Sequence, residues 1–265
     1  MNSGKMYIPV CCLFLLICLY GLTARGQGTD EKGKITTGKG YPKNDFVKAM
    51  KEMADRYRDS KSLSFNVTYR YSSEKDPGVY LDSLKGSYRI NGNDYWYSLD
   101  NTEVVSNQDY CVLLFKEDHI MYLAPARSRN TNIDFLSSLD SFLVHGDNIT
   151  VSATEGPQQR ILKLSFGDNS PWKSIEYNID KTNGYIIRIR QVVRSSRLYD
   201  PVVAGSRAGM DNSYAIVDMD FTDYHTGAFD ARQLDVGNYF KKEGGQYVVT
   251  ASYNSYKIFL GAPNL

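Results

Sequence analysis

The sequence predicts an α+β protein that is mostly antiparallel β-sheet, with about eleven short strands and two or so helices. Short runs of alternating apolar and polar residues recur from residue 63 onwards, and this is the period of a half-buried strand. Two segments instead show the three-to-four-residue spacing of an amphipathic helix. The sequence shows no regular alternation of strand and helix, so we expect helices set against one large antiparallel sheet.

The first residues predict export. Lys5 precedes an apolar run over residues 7–22, and the small residues Ala24 and Gly26 follow it. This pattern is typical of a secretory signal peptide over residues 1–26. The run is shorter than the roughly 20 residues of a spanning helix, although an uncleaved anchor remains the alternative. Residues 27–43, rich in Gly, Lys and Thr, predict a flexible leader before a single domain over 44–265.

Charge and cysteine content exclude several classes of protein. Without residues 1–26 the chain has a net charge of about −1, which does not favour nucleic acid as a partner. Three of the four cysteines lie in the predicted signal peptide, and Cys111 remains. A lone cysteine forms neither an internal disulfide nor a cysteine-based zinc site. The fold must therefore be held together by its core.

Two helices are predicted. Residues 44–61 bring Phe46, Met50 and Met53 to one face, with Asn44 at the cap. Residues 131–146 form the second helix, in which Leu136 and Leu139 belong to the apolar stripe. Both stripes need an apolar surface to cover.

The strand runs place large apolar residues on single faces. In the 173–193 segment, alternation predicts a hairpin with one apolar face and one largely charged face. The 21 tyrosines of the chain are prominent on the apolar faces. Because a buried tyrosine needs a partner for its hydroxyl group, these faces indicate either ordinary sheet packing or a cavity lined by aromatic residues. The residues predicted to share the apolar strand faces are Leu63, Phe65, Val67, Tyr69, Tyr88, Ile90, Ile175, Tyr177, Ile187 and Ile189.

Catalytic chemistry has little support in the sequence. The three histidines lack metal-ligand spacing, and no nucleophile motif or glycine-rich phosphate loop is present. Asp218 and Asp220 would share one strand face, so an enzyme using this carboxylate pair is one hypothesis. The other interpretation is a solvated strand face. We predict no catalytic residues, no metal and no cofactor. The long segment 194–212, without a clear period, is either functional or a disordered surface loop.

The order of elements resembles that of the LolA-like family, the periplasmic lipoprotein carriers and related lipid- or lipoprotein-binding proteins. That order is an exported leader, a helix, a meander of strands, a second helix and further strands. The hairpin "IEYNIDKTNGYIIRIR", with Ile179, Asp180, Gly184 and Ile186, adds to the likeness. The resemblance covers roughly residues 44–260.

This resemblance implies an unclosed β-barrel wrapped around helices, with an apolar cavity for acyl chains. The ten strand residues named above would line the cavity, and Met50, Leu136 and Leu139 would cover it. The expected function is that of an exported, periplasmic, non-enzymatic binding protein for a lipid, an acyl chain or a lipidated protein. The alternative is an interaction or scaffold component of a cell-envelope complex with a filled interior.

Overall fold

The computed structural model describes residues 41–126, 149–198, 214–262 and 265. The predicted signal peptide, nearly all of the predicted leader and the predicted second helix with Leu136 and Leu139 lie outside these residues. Most of the 194–212 segment does so as well. Within the described part of the chain, no helix has the length and apolar character needed to cross a membrane.

The predicted first helix is confirmed as α1, Lys43–Asp59. Its buried residues Phe46, Ala49, Met50 and Met53 recur every three to four positions, so one side of the helix packs against protein. The helix begins one residue earlier than expected. Asn44 therefore lies inside the helix and is not its cap.

Fourteen strands follow in the described residues, and twelve of them form one sheet in the order β14-β6-β5-β4-β3-β2-β1-β11-β10-β9-β8-β7. Strands β12 and β13 form a separate hairpin. The strands are β1 (Ser62–Ser73), β2 (Asp76–Asn91), β3 (Asp94–Leu99), β4 (Thr102–Ser106), β5 (Tyr110–Phe115), β6 (Ile120–Pro125), β7 (Thr150–Glu155), β8 (Gln159–Ser165), β9 (Trp172–Asp180), β10 (Ile186–Arg194), β11 (Tyr214–His225), β12 (Phe240–Glu243), β13 (Gln246–Val249) and β14 (Lys257–Leu260).

The predicted fold class is confirmed as a large, mostly antiparallel sheet that is not closed among the described residues. Two details differ from expectation. Strand β14 pairs with β6 in parallel, because the segment before it returns the chain to the start of β6. Strand β2 begins at Asp76 and is 16 residues long, so it is longer than the short strands expected.

The described residues divide into two compact units. The first comprises residues 41–55, 69–83, 149–198 and 214–220, and the second comprises 56–68, 84–126, 221–262 and 265. The second unit has a core on one face of β4–β6, which the C-terminal segment covers with Val236, Tyr239 and Phe240. The opposite face of the same strands carries a second set of apolar side chains, including Leu113 and Tyr122.

The β9–β10 hairpin of the first unit forms as predicted, with one correction. Asp180 accepts a hydrogen bond from the Thr182 N–H at 2.7 Å, and Gly184 has a φ of 78°, which favours glycine. Ile186 pairs with Ile179 and Arg188 with Asn178, so the register shifts at Ile187. This bulge buries Ile186 and leaves Ile187 half-buried. Simple alternation, which placed Ile187 with Ile189, is wrong at this residue because a bulge inserts one residue into the period.

Candidate functional site

The second unit carries a row of apolar side chains that crosses six neighbouring strands. Tyr88 lies opposite Tyr97, and Tyr97 lies opposite Val104. Val104 then lies opposite Leu113, and Leu113 opposite Tyr122. Tyr122 finally lies opposite Phe259 of β14. Directly paired residues project from the same face of a sheet, so these six side chains lie side by side on one face. We call them the apolar row: Tyr88, Tyr97, Val104, Leu113, Tyr122 and Phe259.

Exposure rises along the apolar row. Tyr97 and Val104 are 3% and 2% exposed. Leu113 is half-buried, and Tyr122 and Phe259 are 41% and 43% exposed. Soluble proteins seldom leave contiguous large apolar side chains open to solvent without a use for them. The row is therefore a sealed core at one end and an open apolar surface at the other.

Aromatic contacts order both ends of the row. At the buried end, Phe65 stacks on Tyr88 with ring centroids 5.0 Å apart, and Tyr88 stacks on Tyr97 at 5.2 Å. Burial raises the pKa of Tyr97, so its hydroxyl group stays neutral. At the open end, the Tyr122 and Phe259 ring centroids are 5.4 Å apart. The exposed rings are thus packed against each other.

A cation borders the open end. Lys257 lies opposite Ile120, which in turn lies opposite Phe115. Lys257 is two residues before Phe259 and projects from the same face. It is exposed and has no ion-pair partner among the described residues. The open end therefore combines an apolar surface with a positive charge at its margin.

The residues predicted to line a cavity are largely buried. Ile90 and Ile187 are half-buried. The others are between 0% and 9% exposed, and they are Met50, Leu63, Phe65, Val67, Tyr69, Tyr88, Ile175, Tyr177 and Ile189. Tyr88 belongs to the apolar row and Phe65 stacks on it. Leu136 and Leu139 lie outside the described residues.

Two shallow cavities, one in each unit, are among those that the described residues form. The cavity of the first unit has a volume of about 300 Å³ and is lined by Ile187, Asp180 and residues 156–159. The cavity of the second unit, about 500 Å³, has a lining of aromatic, charged and amide side chains: Trp96, Glu103, Asp230, Arg232, Gln233, Asn238, Tyr239 and Tyr253. Ile187 alone of the predicted lining residues contributes to either. Neither has the purely apolar lining expected of an acyl-chain cavity.

The open end of the row was not predicted from the sequence. Alternation in "YCVLLF" and "HIMYLA" contains the signal for Leu113 and Tyr122. Phe259 lies in a four-residue strand and meets Tyr122 only through a pairing between distant segments. Sequence periodicity gives the face of each strand and does not give the order of strands.

The carboxylate pair Asp218 and Asp220 is engaged by arginines. Arg190 donates hydrogen bonds to both carboxylate oxygens of Asp218, at 2.7 and 2.9 Å. This bonding raises the pKa of Arg190. Arg188 Nε lies 3.1 Å from Asp220 Oδ1, and Arg70 also pairs with Asp220. We call these five residues the Arg–Asp ladder. Both carboxylates are already paired with guanidinium groups, so the geometry does not favour general acid–base chemistry here.

Within the described part of the chain, no group of three or more His, Cys, Asp or Glu side chains is arranged to hold a metal ion.

No protein-family model and no curated protein matches this sequence. Solved structures are similar to this chain. An uncharacterized conserved protein from Thermus thermophilus is 10% identical over 70% of this chain and 92% of its own, with a TM-score of 0.40. The LolA superfamily protein NE2245 from Nitrosomonas europaea is 12% identical over 71% of this chain and 97% of its own, with a TM-score of 0.32.

The Pseudomonas aeruginosa MucA/MucB complex gives a third match, 12% identical over 78% of this chain and 63% of the matched chain, with a TM-score of 0.33. At such identities and TM-scores, all three are reported as similarities of structure and carry no further argument.

Proposed function

We propose that the protein is an exported, non-enzymatic binding protein for a lipid, an acyl chain or a lipidated protein. The observation that carries this proposal is the open end of the apolar row, where Tyr122 and Phe259 are more than 40% exposed. They continue a face that is otherwise sealed by protein. The ligand chain lies on this surface instead of filling an enclosed cavity.

The chemistry of the open end fits an acyl chain. The backbone groups of β5 and β6 are already paired with their neighbours, so this face has no peptide hydrogen bonds to offer a partner. Its side chains are Leu113, Phe115 and Tyr122 with Ile120 and Phe259, and only the Tyr122 hydroxyl group is polar. A ligand without hydrogen-bonding groups is matched to such a surface, because it loses no polar solvation on binding.

Lys257 adds a preference for an anionic head group. A carboxylate or phosphate at the margin of the apolar surface would lie beside its ammonium group while the acyl chain covers Phe259. Because Lys257 is exposed, the gain from this charge is small and depends on salt. Most of the affinity comes from apolar burial.

The first test measures binding of a fluorescent long-chain fatty acid to the chain without residues 1–26. Fully burying a phenylalanine side chain contributes roughly 1.5–3 kcal/mol. Covering the exposed part of Phe259 therefore contributes about 1 kcal/mol, and we expect Phe259→Ser to weaken binding about fivefold. Tyr122→Ser should have a similar effect. No uptake of the fatty acid by the wild-type chain would contradict the proposal.

Leu260 provides a matched control for this test. It is 49% exposed and adjacent to Phe259, but it projects from the opposite face of β14. Leu260→Ser should leave fatty-acid affinity unchanged. Equal losses of fatty-acid affinity for Phe259→Ser and Leu260→Ser would show that the probe binds exposed apolar side chains nonspecifically and not at the apolar row.

A second test addresses the head group. The wild-type chain should bind the fatty acid more tightly than its methyl ester, and Lys257→Met should remove that preference. Lys242→Met, at an exposed position of β12, should keep it. An equal preference in both variants would exclude Lys257 as the head-group contact while leaving the acyl surface in place.

The alternative function, an interaction or scaffold protein with a filled interior, is favoured by a different observation. Nine predicted lining residues are at most 9% exposed, and the two cavities lie elsewhere. A photocrosslinking residue at position 122, introduced in cells, separates the two functions. Crosslinks to lipid, with lipid retained in native mass spectrometry, support the binding protein. Crosslinks to one protein, with no lipid retained, support the scaffold.

A further inference from the structure

The first half of β2 has an unpaired edge. Strand β2 runs over 16 residues, and its pairing with β3 covers only Gly86–Asn91. The other neighbour of β2 is β1. The Lys85 carbonyl still accepts a hydrogen bond from the Asp100 N–H, at 3.4 Å. Within the described part of the chain, residues 76–84 therefore pair along one side alone.

This edge is apolar at its centre. Val79, Tyr80 and Leu81 are 54%, 50% and 59% exposed. Successive residues of a strand project from opposite faces, so both faces of this stretch are largely exposed. Proteins usually protect such an edge with charge, proline or a bulge, because an exposed apolar edge pairs readily with another strand. Here Asp76, Pro77 and Asp82 flank the apolar centre without interrupting it.

We propose that this edge pairs, antiparallel, with the same edge of a second copy of the chain, about a two-fold axis at Tyr80. This inference is independent of the proposed lipid-binding function. In this register Tyr80 lies opposite its own copy, and Val79 of each chain lies opposite Leu81 of the other. Apolar residues thus meet apolar residues on both sides of the axis. A two-fold axis also closes the assembly at two chains, because residues 76–84 of each copy are then paired on both sides.

The neighbouring registers are less favourable. An axis at Val79 would place Asp82 opposite Asp76, and like charges directly opposite each other are destabilising. An axis at Leu81 would place Tyr80 opposite Asp82. The axis at Tyr80 instead places Asp82 opposite Gly78, where the glycine leaves room for a solvated carboxylate, and moves the one carboxylate–apolar pair, Asp76 with Leu84, to the ends of the contact. Both apolar matching and charge therefore select the same register.

The expected dimer is weak. Nine residues a side is a small contact compared with stable protein interfaces. Arg70 lies over the Tyr80 ring, 5.5 Å from its centroid, and holds the ring in place before pairing. We therefore expect self-association that depends on protein concentration, not a permanent dimer.

The test is a cysteine scan in the chain without residues 1–26, carrying Cys111→Ser and using a short thiol-specific crosslinker. Tyr80→Cys should form crosslinked dimers on its own. A chain with Val79→Cys should link to a chain with Leu81→Cys more efficiently than either links to itself. Lys242→Cys, at an exposed position of β12, measures random collision. Tyr80→Cys linking no better than Lys242→Cys would overturn the proposal.

A charge variant tests the same edge without crosslinking. Tyr80→Lys would place two lysines opposite each other, so sedimentation should show monomer where the wild-type chain is partly dimeric. Gln246→Lys, at an exposed position of β13, should remain dimeric, and circular dichroism checks that both variants fold. A wild-type chain that is monomeric at every concentration, or a dimer that survives Tyr80→Lys, contradicts the inference.

Discussion

Both units have a row of apolar side chains across neighbouring strands, but the two rows differ in how far they are exposed to solvent. In the first unit, Leu162, Tyr177, Ile189 and Met219 are paired in a row across β8–β11, and each is at most 9% exposed. In the second unit, the apolar row begins equally buried and ends with Phe259 at 43% exposure. Both rows have the composition of a core. Composition therefore does not distinguish a sealed strand face from an open one.

The opposite, charged face of the first unit strengthens this contrast. There the Arg–Asp ladder satisfies its charges internally, and the Asp218 side chain is 2% exposed. The second unit instead places Lys257, a cation without an ion-pair partner among the described residues, beside its open apolar surface. We infer that the first unit is built mainly for stability and that the second carries the binding surface.

The largest expected effect is that of Asp218→Asn. It removes the buried carboxylate that Arg190 and Arg188 face. Because these arginine side chains are 40% and 35% exposed and stay solvated, the loss is mainly that of the charge-assisted hydrogen bonds, about 3 kcal/mol. Urea unfolding should show a loss of that size in the free energy of unfolding. Asp220→Asn, whose side chain is 25% exposed, should cost about 1 kcal/mol. If Asp220→Asn costs more than Asp218→Asn, the ladder is not the stabilising element of the first unit.

Alkaline pH tests how well the row of the first unit is sealed. Burial raises the pKa of Tyr177 from 10.0 to about 12. The neutral, protonated form is favoured in the folded state, so its contribution is complete below pH 10. It is lost as the pH rises from 10 towards 12. The size of the loss is roughly 2–3 kcal/mol.

Thermal unfolding of the wild-type chain and of Tyr177→Phe, measured from neutral pH to pH 12, checks this prediction. The variant should lose less stability across the alkaline range, because phenylalanine has no proton to release. Identical pH profiles for both proteins would mean that water reaches Tyr177 and that the first row is not sealed.

The two ends of the apolar row should respond in opposite ways. Val104→Ala removes two buried methyl groups and should cost about 2 kcal/mol of stability, with little change in fatty-acid affinity for the folded fraction. Phe259→Ser should change the free energy of unfolding by less than about 0.5 kcal/mol and weaken fatty-acid binding. If both variants lose the same free energy of unfolding, Phe259 belongs to the core and the two ends of the apolar row do not differ.

Local periodicity predicted much of the fold, and the remaining features depend on distant pairings. Helix α1 was predicted because its period is unbroken over many residues. The β9–β10 hairpin was predicted because alternation identifies its strands on either side of the bulge at Ile187. The position of β14 beside β6 was not, since a four-residue strand carries too few alternations to identify a partner. Phe259 and Tyr122 therefore form a site that no local pattern could reveal.

The first half of β2 was missed for another reason. Pro77 and Gly78 are disfavoured in strands and typical of turns. A strand with one free edge tolerates proline, because the missing N–H can face outwards. The features that hid this segment from sequence analysis are thus the features of an exposed edge.

The smallest effect separates the paired and unpaired halves of β2. A Cβ atom at Gly86 would lie 3.0 Å from the Ser98 carbonyl oxygen and 3.1 Å from side-chain atoms of Val67 and Leu99. Since the carbonyl belongs to the neighbouring strand, it cannot move without disturbing the β2–β3 pairing. Gly86→Ala should therefore destabilise the protein by about 1 kcal/mol, which lowers the melting temperature by roughly 2–4 °C.

Gly78 is the matched position in the unpaired half. A Cβ atom there would meet nothing within 4 Å, so Gly78→Ala should be neutral or stabilise the protein by about 0.5 kcal/mol through the unfolded state. In the proposed dimer, however, Gly78 lies opposite Asp82 of the second copy. The same methyl group should then weaken self-association slightly while leaving the monomer intact. A Gly78→Ala chain that melts lower than Gly86→Ala would show that the first half of β2 is covered, and the unpaired edge would no longer be available to a second copy.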